Sequence, residues 1–298
     1  MKSIIIPTRN RPNLLSDLIK TILPLLSGED EVIVVDSSDL DLLSSNLGKI
    51  PRIKFKTSHI QSAAVQRNIG LNEIGSTDYV FFLDDDVVPD SNYFMNCIQA
   101  LKISGAIGVS GLALKSSQLN LRPRPSGFAG LFRRIFLLDS KKDGTILRSG
   151  ISIPSRDSER RILEVDWLIG CSGWVAEKIG QNRFESDFLG QSLSEDVIFS
   201  MRMKKKGRLV TDSSIILHHH ESGLNRPSKE EFWRMWIVNR YRLIQVAEFG
   251  MPGVFSYWWA NLGQFLILCF TKIIRNNQSS GSIKGLISGA LLVIGFRK

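Results

Sequence analysis

Residues 79–86 read Tyr79-Val80-Phe81-Phe82-Leu83-Asp84-Asp85-Asp86, an apolar run that passes without a spacer into three carboxylates. The run suits a strand buried on both faces. Three like charges side by side repel one another, and an arbitrary acidic triplet is usually a solvated turn. This one is pinned between Phe82-Leu83 and Val87-Val88-Pro89, which fixes it at a sheet edge. Hard oxygen donors held there suit Mg²⁺ or Mn²⁺ bridging a diphosphate.

Working outward, Ser3–Pro7, Glu31–Asp36 and Arg52–Thr57 are further short strand-like runs. Leu14, Leu15, Leu18, Ile19 and Ile22 recur at helical spacing after the first run, and Ser62–Ile74 has helical spacing before the fourth. Continuous apolar strands separated by helices predict parallel pairing with both faces covered. Ligands of such sheets bind beyond the carboxyl ends of the strands. Thr8, Asp36 and Asp84–Asp86 all fall at those ends, so one edge of the sheet is the expected site.

Further along, Arg122–Gly127 with Phe128, Phe132, Arg133 and Arg134 reads as a basic loop. A membrane, an acceptor phosphate and plain solvent are all compatible surroundings for it. Ser194–Lys206 reads as a helix with a Ser N-cap and with Glu195 and Asp196 in its first turn. Acids there either complement the helix dipole or supply a general base; the residues alone leave both open. Leu209–Leu217 reads as a strand ending in His218-His219-His220. Alternation puts His219 on the face of Ile215 and Leu217, with His218 and His220 on the other. Any of the three imidazoles could serve an Mn²⁺-like ion.

The composition narrows the class. With 43% hydrophobic and 22% charged residues, the 298-residue chain is expected to be globular rather than disordered. A net charge of +9 favours anionic partners, but no recognisable nucleic-acid module accompanies it. Cys97, Cys171 and Cys269 lack CxxC spacing, so neither a disulfide framework nor a zinc site is expected, and a reducing compartment is. The apolar run at the N-terminus is too short for a secretory h-region. Gly170-Cys171-Ser172-Gly173 is not a GxSxG elbow, and Cys171 is expected to be a packed thiol rather than a nucleophile.

Taken together, these segments resemble family 2 inverting glycosyltransferases of the GT-A fold. Ser3–Asn10 resembles the family's opening strand and nucleotide loop, and Val34–Ser38 its second strand with a base-binding Asp. Gln66-Arg67-Asn68-Ile69-Gly70 resembles its Arg-Asn helix, and Phe82–Pro89 its DxD element. Asp166–Cys171 resembles the acceptor-side strand, while Phe184–Asp187 and Ser194–Ser200 resemble the approach to the catalytic Glu-Asp motif. The match runs in order through roughly the first three-quarters of the chain. It implies an α/β fold with a mixed, mainly parallel sheet flanked by helices. It also implies that Thr8, Arg9, Asp36 and Arg67 hold the nucleoside, with Asp84 at the ribose and Asp85 completing the donor site. Asp86 and His219 would bind a divalent metal, Mg²⁺ or Mn²⁺, and Asp196 would deprotonate the acceptor hydroxyl. Ser213 stands where the family often has proline, which keeps the choice among His218, His219 and His220 open.

The last fifty residues have a different character. No acidic residue follows Glu248, whereas Lys272, Arg275, Lys284, Arg297 and Lys298 remain. Pro252–Thr271 is uncharged and long enough to span a bilayer, but Pro252, Gly253, Asn261, Gly263 and Gln264 weaken that reading. Helices lying in the membrane interface are the preferred expectation, ahead of a true span and of a soluble dimer surface. The expected organisation is therefore a GT-A domain over 1–225 and a helical, membrane-associating segment over 226–298. The expected activity moves a sugar from a nucleotide diphosphate donor to a hydroxyl of a glycan or lipid-linked saccharide. It would do so as a peripheral protein on the cytoplasmic face of the cell membrane. A polyprenyl-phosphate acceptor and a non-catalytic nucleotide-sugar binder are the alternatives.

Overall fold

A computed structural model describes residues 1–39, 50, 52–115, 125–156, 161–187, 193–219, 227–274 and 280–295 of the chain. Elements in chain order are β1 (Lys2–Thr8), α1 (Pro12–Ile22), β2 (Glu31–Asp36), β3 (Ile53–Thr57), α2 (Ala63–Glu73) and β4 (Tyr79–Phe82). Next come β5 (Val87–Pro89), α3 (Tyr93–Ser104), β6 (Gly108–Lys115), α4 (Gly127–Ile135), β7 (Ile162–Val165) and β8 (Ser172–Val175). The chain continues with α5 (Ala176–Ile179), α6 (Glu195–Lys204), β9 (Leu209–His219), α7 (Lys229–Val246), α8 (Gly250–Ile274) and α9 (Ser280–Gly295). The chain divides into two compact units, one of residues 1–121 and 155–222, the other of 122–154 and 223–298.

The first unit is built on one sheet, with strand order β3-β2-β1-β4-β8-β6-β9-β5 and β7 also pairing with β9. The first four strands are parallel throughout, and β6 is parallel to β9. The pairs β4–β8, β6–β8, β5–β9 and β7–β9 are antiparallel. The sheet is therefore mixed, with four parallel and four antiparallel strand pairs.

Both faces of β1, β2 and β4 are buried, as continuous apolar strands require. Ile4, Ile6, Val32, Val34 and Phe81 point to the side carrying Leu15, Leu18, Phe94 and Leu101 of α1 and α3. Ile5, Ile33, Val35 and Phe82 point to the side carrying Ala64, Leu71, Phe199 and Met203 of α2 and α6. Gly70 lets α2 sit directly on β1, since a Cβ there would lie 2.4 Å from Ile5 Cγ2.

The second unit has its own core, in which Ile237, Tyr241 and Ile244 of α7 meet Tyr257 and Leu268 of α8 and Leu286 and Val293 of α9. Helix α7 opens with a capping box between Ser228 and Glu231. Arg240 is buried there, its guanidinium 4.1 Å from the Trp236 ring centre and 4.8 Å from that of Tyr257. It donates to Asn261 Oδ1 and to the Tyr257 carbonyl. Segment 125–135 of the expected basic loop contains α4 and belongs to this unit; 122–124 lie outside the described residues.

Candidate active site

Register brings the first acidic groups together. Thr8 and Asp36 are paired at the carboxyl ends of β1 and β2, and the Leu83 amide donates to Ile5 O, which carries the chain past β4 into Asp84–Asp86. The Thr8 hydroxyl donates to Asp85 Oδ2 at 2.7 Å. Arg11, at the mouth of α1, reaches both Asp85 Oδ1 at 2.9 Å and Asp86 Oδ2 at 3.1 Å through Nη1. Burial pushes the Asp85 carboxyl up to about 6, although Arg11 and Thr8 pull the other way. The Asp86 carboxyl is also raised, by burial and then by the charge of Asp84, with His219 and Arg11 opposing. Two crowded carboxylates with incomplete compensation form a place where added positive charge is favourable.

The histidine strand completes this corner. Strand β9 pairs with β5, setting Val87 opposite His219 and Val88 opposite His218. His219 Nε2 lies 3.4 Å from Asp86 Oδ1, while His218 Nε2 lies 3.4 Å from Asp90 Oδ1. The alternation expected from the sequence is what separates the two imidazoles. His220 lies outside the described residues. No group of three or more His, Cys, Asp or Glu side chains is arranged around a common metal position among the described residues.

Helix α2 uses each residue of its motif to tie the site together. Gln66 donates to Thr8 O at 2.8 Å and Val35 O at 2.6 Å, holding the ends of β1 and β2. Arg67 is 3% exposed and forms ion pairs with Asp84 Oδ1 at 2.6 Å and with Glu195 Oε1. Burial opposes its charge, but Glu195 and Asp84 more than offset this, so its pKa is raised. Asn68 exchanges hydrogen bonds with the Phe184 backbone at 2.9 and 2.8 Å. The guanidinium of Arg67 thus joins the acidic turn to the start of α6.

At that start Ser194 occupies the N-cap position but at φ 72°, without a side-chain cap bond. A left-handed non-glycine residue is costly and concentrates at functional sites. Here it aims Glu195 at Arg67 and leaves Asp196 half-buried. Loss of hydration raises the Asp196 carboxyl to about 6, with Arg67 and the Val197 amide pulling down. A carboxyl held near neutrality is suited to taking and releasing a proton. Cys171 is buried, its pKa raised well above the usual thiol range first by burial and then by Asp84. It is a packed, protonated thiol, with its sulfur 3.4 Å from the Asp84 amide.

Of the nucleoside candidates, Thr8 and Arg67 contact the acidic turn, while Asp36 and Arg9 bond elsewhere. Asp36 is buried and accepts from the Ser38 amide at 2.9 Å and the Ser38 hydroxyl at 2.5 Å. Arg9 reaches Asp39, with Nη2 to Oδ1 at 3.3 Å. No site role follows from the sequence for Arg11 or Gln66, and Glu195 is named there only beside Asp196 as an acid of the first turn of α6. Arg11 stood in the polar turn after β1, and its only signal was a second cation beside Arg9. Glu195 was paired with Asp196 from the start, but its buried partner, 128 positions away, has no local signature.

Comparison with known proteins agrees with this architecture. The S. aureus TarS 1–349 structure in complex with UDP-GlcNAc superposes with a TM-score of 0.55 at 13% identity, covering 97% of this chain and 81% of that one. GalNAc-T7 with UDP, GalNAc and Mn²⁺ gives a TM-score of 0.58 at 13% identity, covering 80% of this chain and 48% of that one. At such identities the likeness establishes the fold. No curated protein matches the sequence. The family model for Glycosyl transferase family 2 matches residues 3–158. That match covers more than half of the 298 residues, and the chain belongs to glycosyltransferase family 2.

Proposed function

We propose that the chain transfers a sugar from a nucleotide diphosphate donor to an acceptor hydroxyl with inversion, using one divalent metal ion and Asp196 as the base. The observation that carries this reading is the junction of two carboxylate groups through Arg67: Asp84 of the acidic turn and Glu195, the neighbour of Asp196. Donor and acceptor chemistry need such a junction, because the base must face the sugar whose diphosphate the acidic turn holds.

Asp86 and His219 fit a divalent ion, offering one hard oxygen and one imidazole 3.4 Å apart, where burial and then the Asp84 charge raise the Asp86 carboxyl. Diphosphate oxygens and water would supply the remaining ligands, as suits Mg²⁺ or Mn²⁺. When bound, such an ion acts as a Lewis acid on the departing diphosphate. Thr8, Arg9, Asp36, Arg67, Asp84 and Asp85 hold the donor. Asp196 accepts the proton of the acceptor hydroxyl as its oxygen attacks the anomeric carbon from the side opposite the leaving group. Direct displacement requires no covalent glycosyl-enzyme. GalNAc-T7 with UDP and Mn²⁺ and TarS with UDP-GlcNAc support a uridine nucleotide as the first donor to try. The acceptor is a glycan or lipid-linked saccharide at the cytoplasmic face of the cell membrane.

The test is single-turnover sugar transfer or donor hydrolysis by Asp196→Asn. Loss of transfer with nucleotide affinity retained supports the reading. Unchanged turnover in the variant overturns the assignment of the base.

A further inference from the structure

We propose that α4 and the outer face of α8 form one docking surface on which the second unit lies in the headgroup region of an anionic bilayer. This rests on the proposed function only for why a membrane is useful; lipid binding itself needs no transfer activity.

The first observation is a continuous apolar stripe. Met251, Phe255, Leu262, Leu266, Phe270 and Ile273 recur every three, four or seven residues along α8, and all are exposed, Phe255 by 72% and Ile273 by 81%. Trp259 falls on the same stripe, and there α4 joins it. Trp259 Nε1 donates to Ile135 O at 2.9 Å, and its ring stacks on Phe136 at 4.7 Å. Gly263 admits this contact, since a Cβ would lie 2.4 Å from Phe136 Cβ. Helix α4 adds Phe128, Leu131 and Ile135 at i, i+3 and i+7, with Phe128 82% exposed. Exposed apolar surface of this extent marks an interaction site.

The second observation is charge. Neither 122–138 nor 249–298 contains an acidic residue, whereas Arg133 and Arg134 lie in the last turn of α4 and Lys272 in that of α8. Apolar stripes accompanied only by cations complement anionic lipid headgroups.

The third observation decides between lying and spanning. The inner face of α8 is committed to protein: Tyr257, Asn261 and Gln264 are buried, and Asn261 accepts from buried Arg240. Burial lowers the pKa of Arg240 to about 10, leaving it charged at neutral pH. A helix wrapped in lipid would bring this arginine and two amides into hydrocarbon, which is strongly unfavourable. Among the described residues no helix is long and apolar enough to cross a membrane. One-sided immersion keeps the polar side in its protein core and gives lipid only the stripe.

The experiment is vesicle flotation of the full chain with phosphatidylcholine alone and with added phosphatidylglycerol, at low and high salt, beside Phe128→Ser/Leu131→Ser and Phe255→Ser/Phe270→Ser. These side chains are exposed, so the variants keep their fold, which circular dichroism and metal-dependent UDP binding check. The expected result is salt-sensitive flotation with the anionic vesicles, reduced roughly tenfold or more in each double variant. No flotation, or equal flotation of the variants, overturns the docking surface, and so does a wild-type dimer in sedimentation that either double variant dissociates. UDP binding retained by protein that does not float would sink this inference alone; floating protein that binds no nucleotide would sink the proposed function alone.

Discussion

Asp196 carries two opposite demands, and both are measurable. Its folded pKa is raised to about 6 from an ordinary 3.8, so the folded state holds its proton more tightly than the unfolded chain does. Stability contributed by the neutral carboxyl is full below about pH 4 and is lost as pH rises through 6. Asp196→Asn is therefore expected to raise the melting temperature at pH 7 by at most a few degrees, with no gain at pH 4. The same substitution is expected to lower kcat by about 10²–10⁴-fold. For the wild type, kcat/KM should fall as pH drops below about 6, because the base must be ionised to act. A melting temperature that falls in the variant at pH 7, or an acid limb absent from the wild-type profile, contradicts this account. Arg67 works differently. It is the buried partner of both Asp84 and Glu195, and Arg67→Ala leaves Glu195 buried without its cation. A loss of about 3–5 kcal/mol in denaturant unfolding is expected, and a loss well below 1 kcal/mol would show the pair to be dispensable.

At the scale of elements, Gly70 tests how α2 is seated. Alanine normally favours a helix by about 1 kcal/mol over glycine, but here its Cβ would meet the stiff, fully buried Ile5 side chain. We expect Gly70→Ala to destabilise by about 1–3 kcal/mol, seen as a lower urea midpoint at unchanged slope; a raised midpoint would mean that β1 yields. The parallel strands β1, β2 and β4 were legible in the sequence because each is a short apolar run, with helical spacing after the first and before the last. The antiparallel half was not, since β7 and β8 are four residues each and their pairing with β9 and β4 depends on contacts distant in sequence. The separation of His219 from His218 was legible, because alternation along β9 alone sets it. The left-handed Ser194 was not, since serine is a common N-cap and nothing local distinguishes the two geometries. Helix α4 is not legible in the sequence, because Pro123 and Pro125 dominate its approach and its apolar positions span only two turns.

At the scale of the molecule, the two units divide the labour that the proposed function requires. The first gathers the residues proposed for donor, metal and base beside a mixed sheet. The second buries its polar residues inward and leaves a cationic, apolar surface outward. Removal of metal is expected to weaken nucleotide binding, and Asp86→Ala should raise the Mn²⁺ concentration required by about tenfold or more. A metal requirement unchanged in that variant would move the ion elsewhere. The most direct test of the central claim is the melting temperature of the purified chain with UDP, GDP or dTDP, each in Mn²⁺ and in EDTA. A ligand that prefers the folded state raises that temperature. A rise is expected with one of the three nucleotides, abolished by EDTA and shifted to higher Mn²⁺ by Asp86→Ala. No rise with any of them, in protein that unfolds cooperatively, would contradict a metal-dependent nucleotide-sugar site.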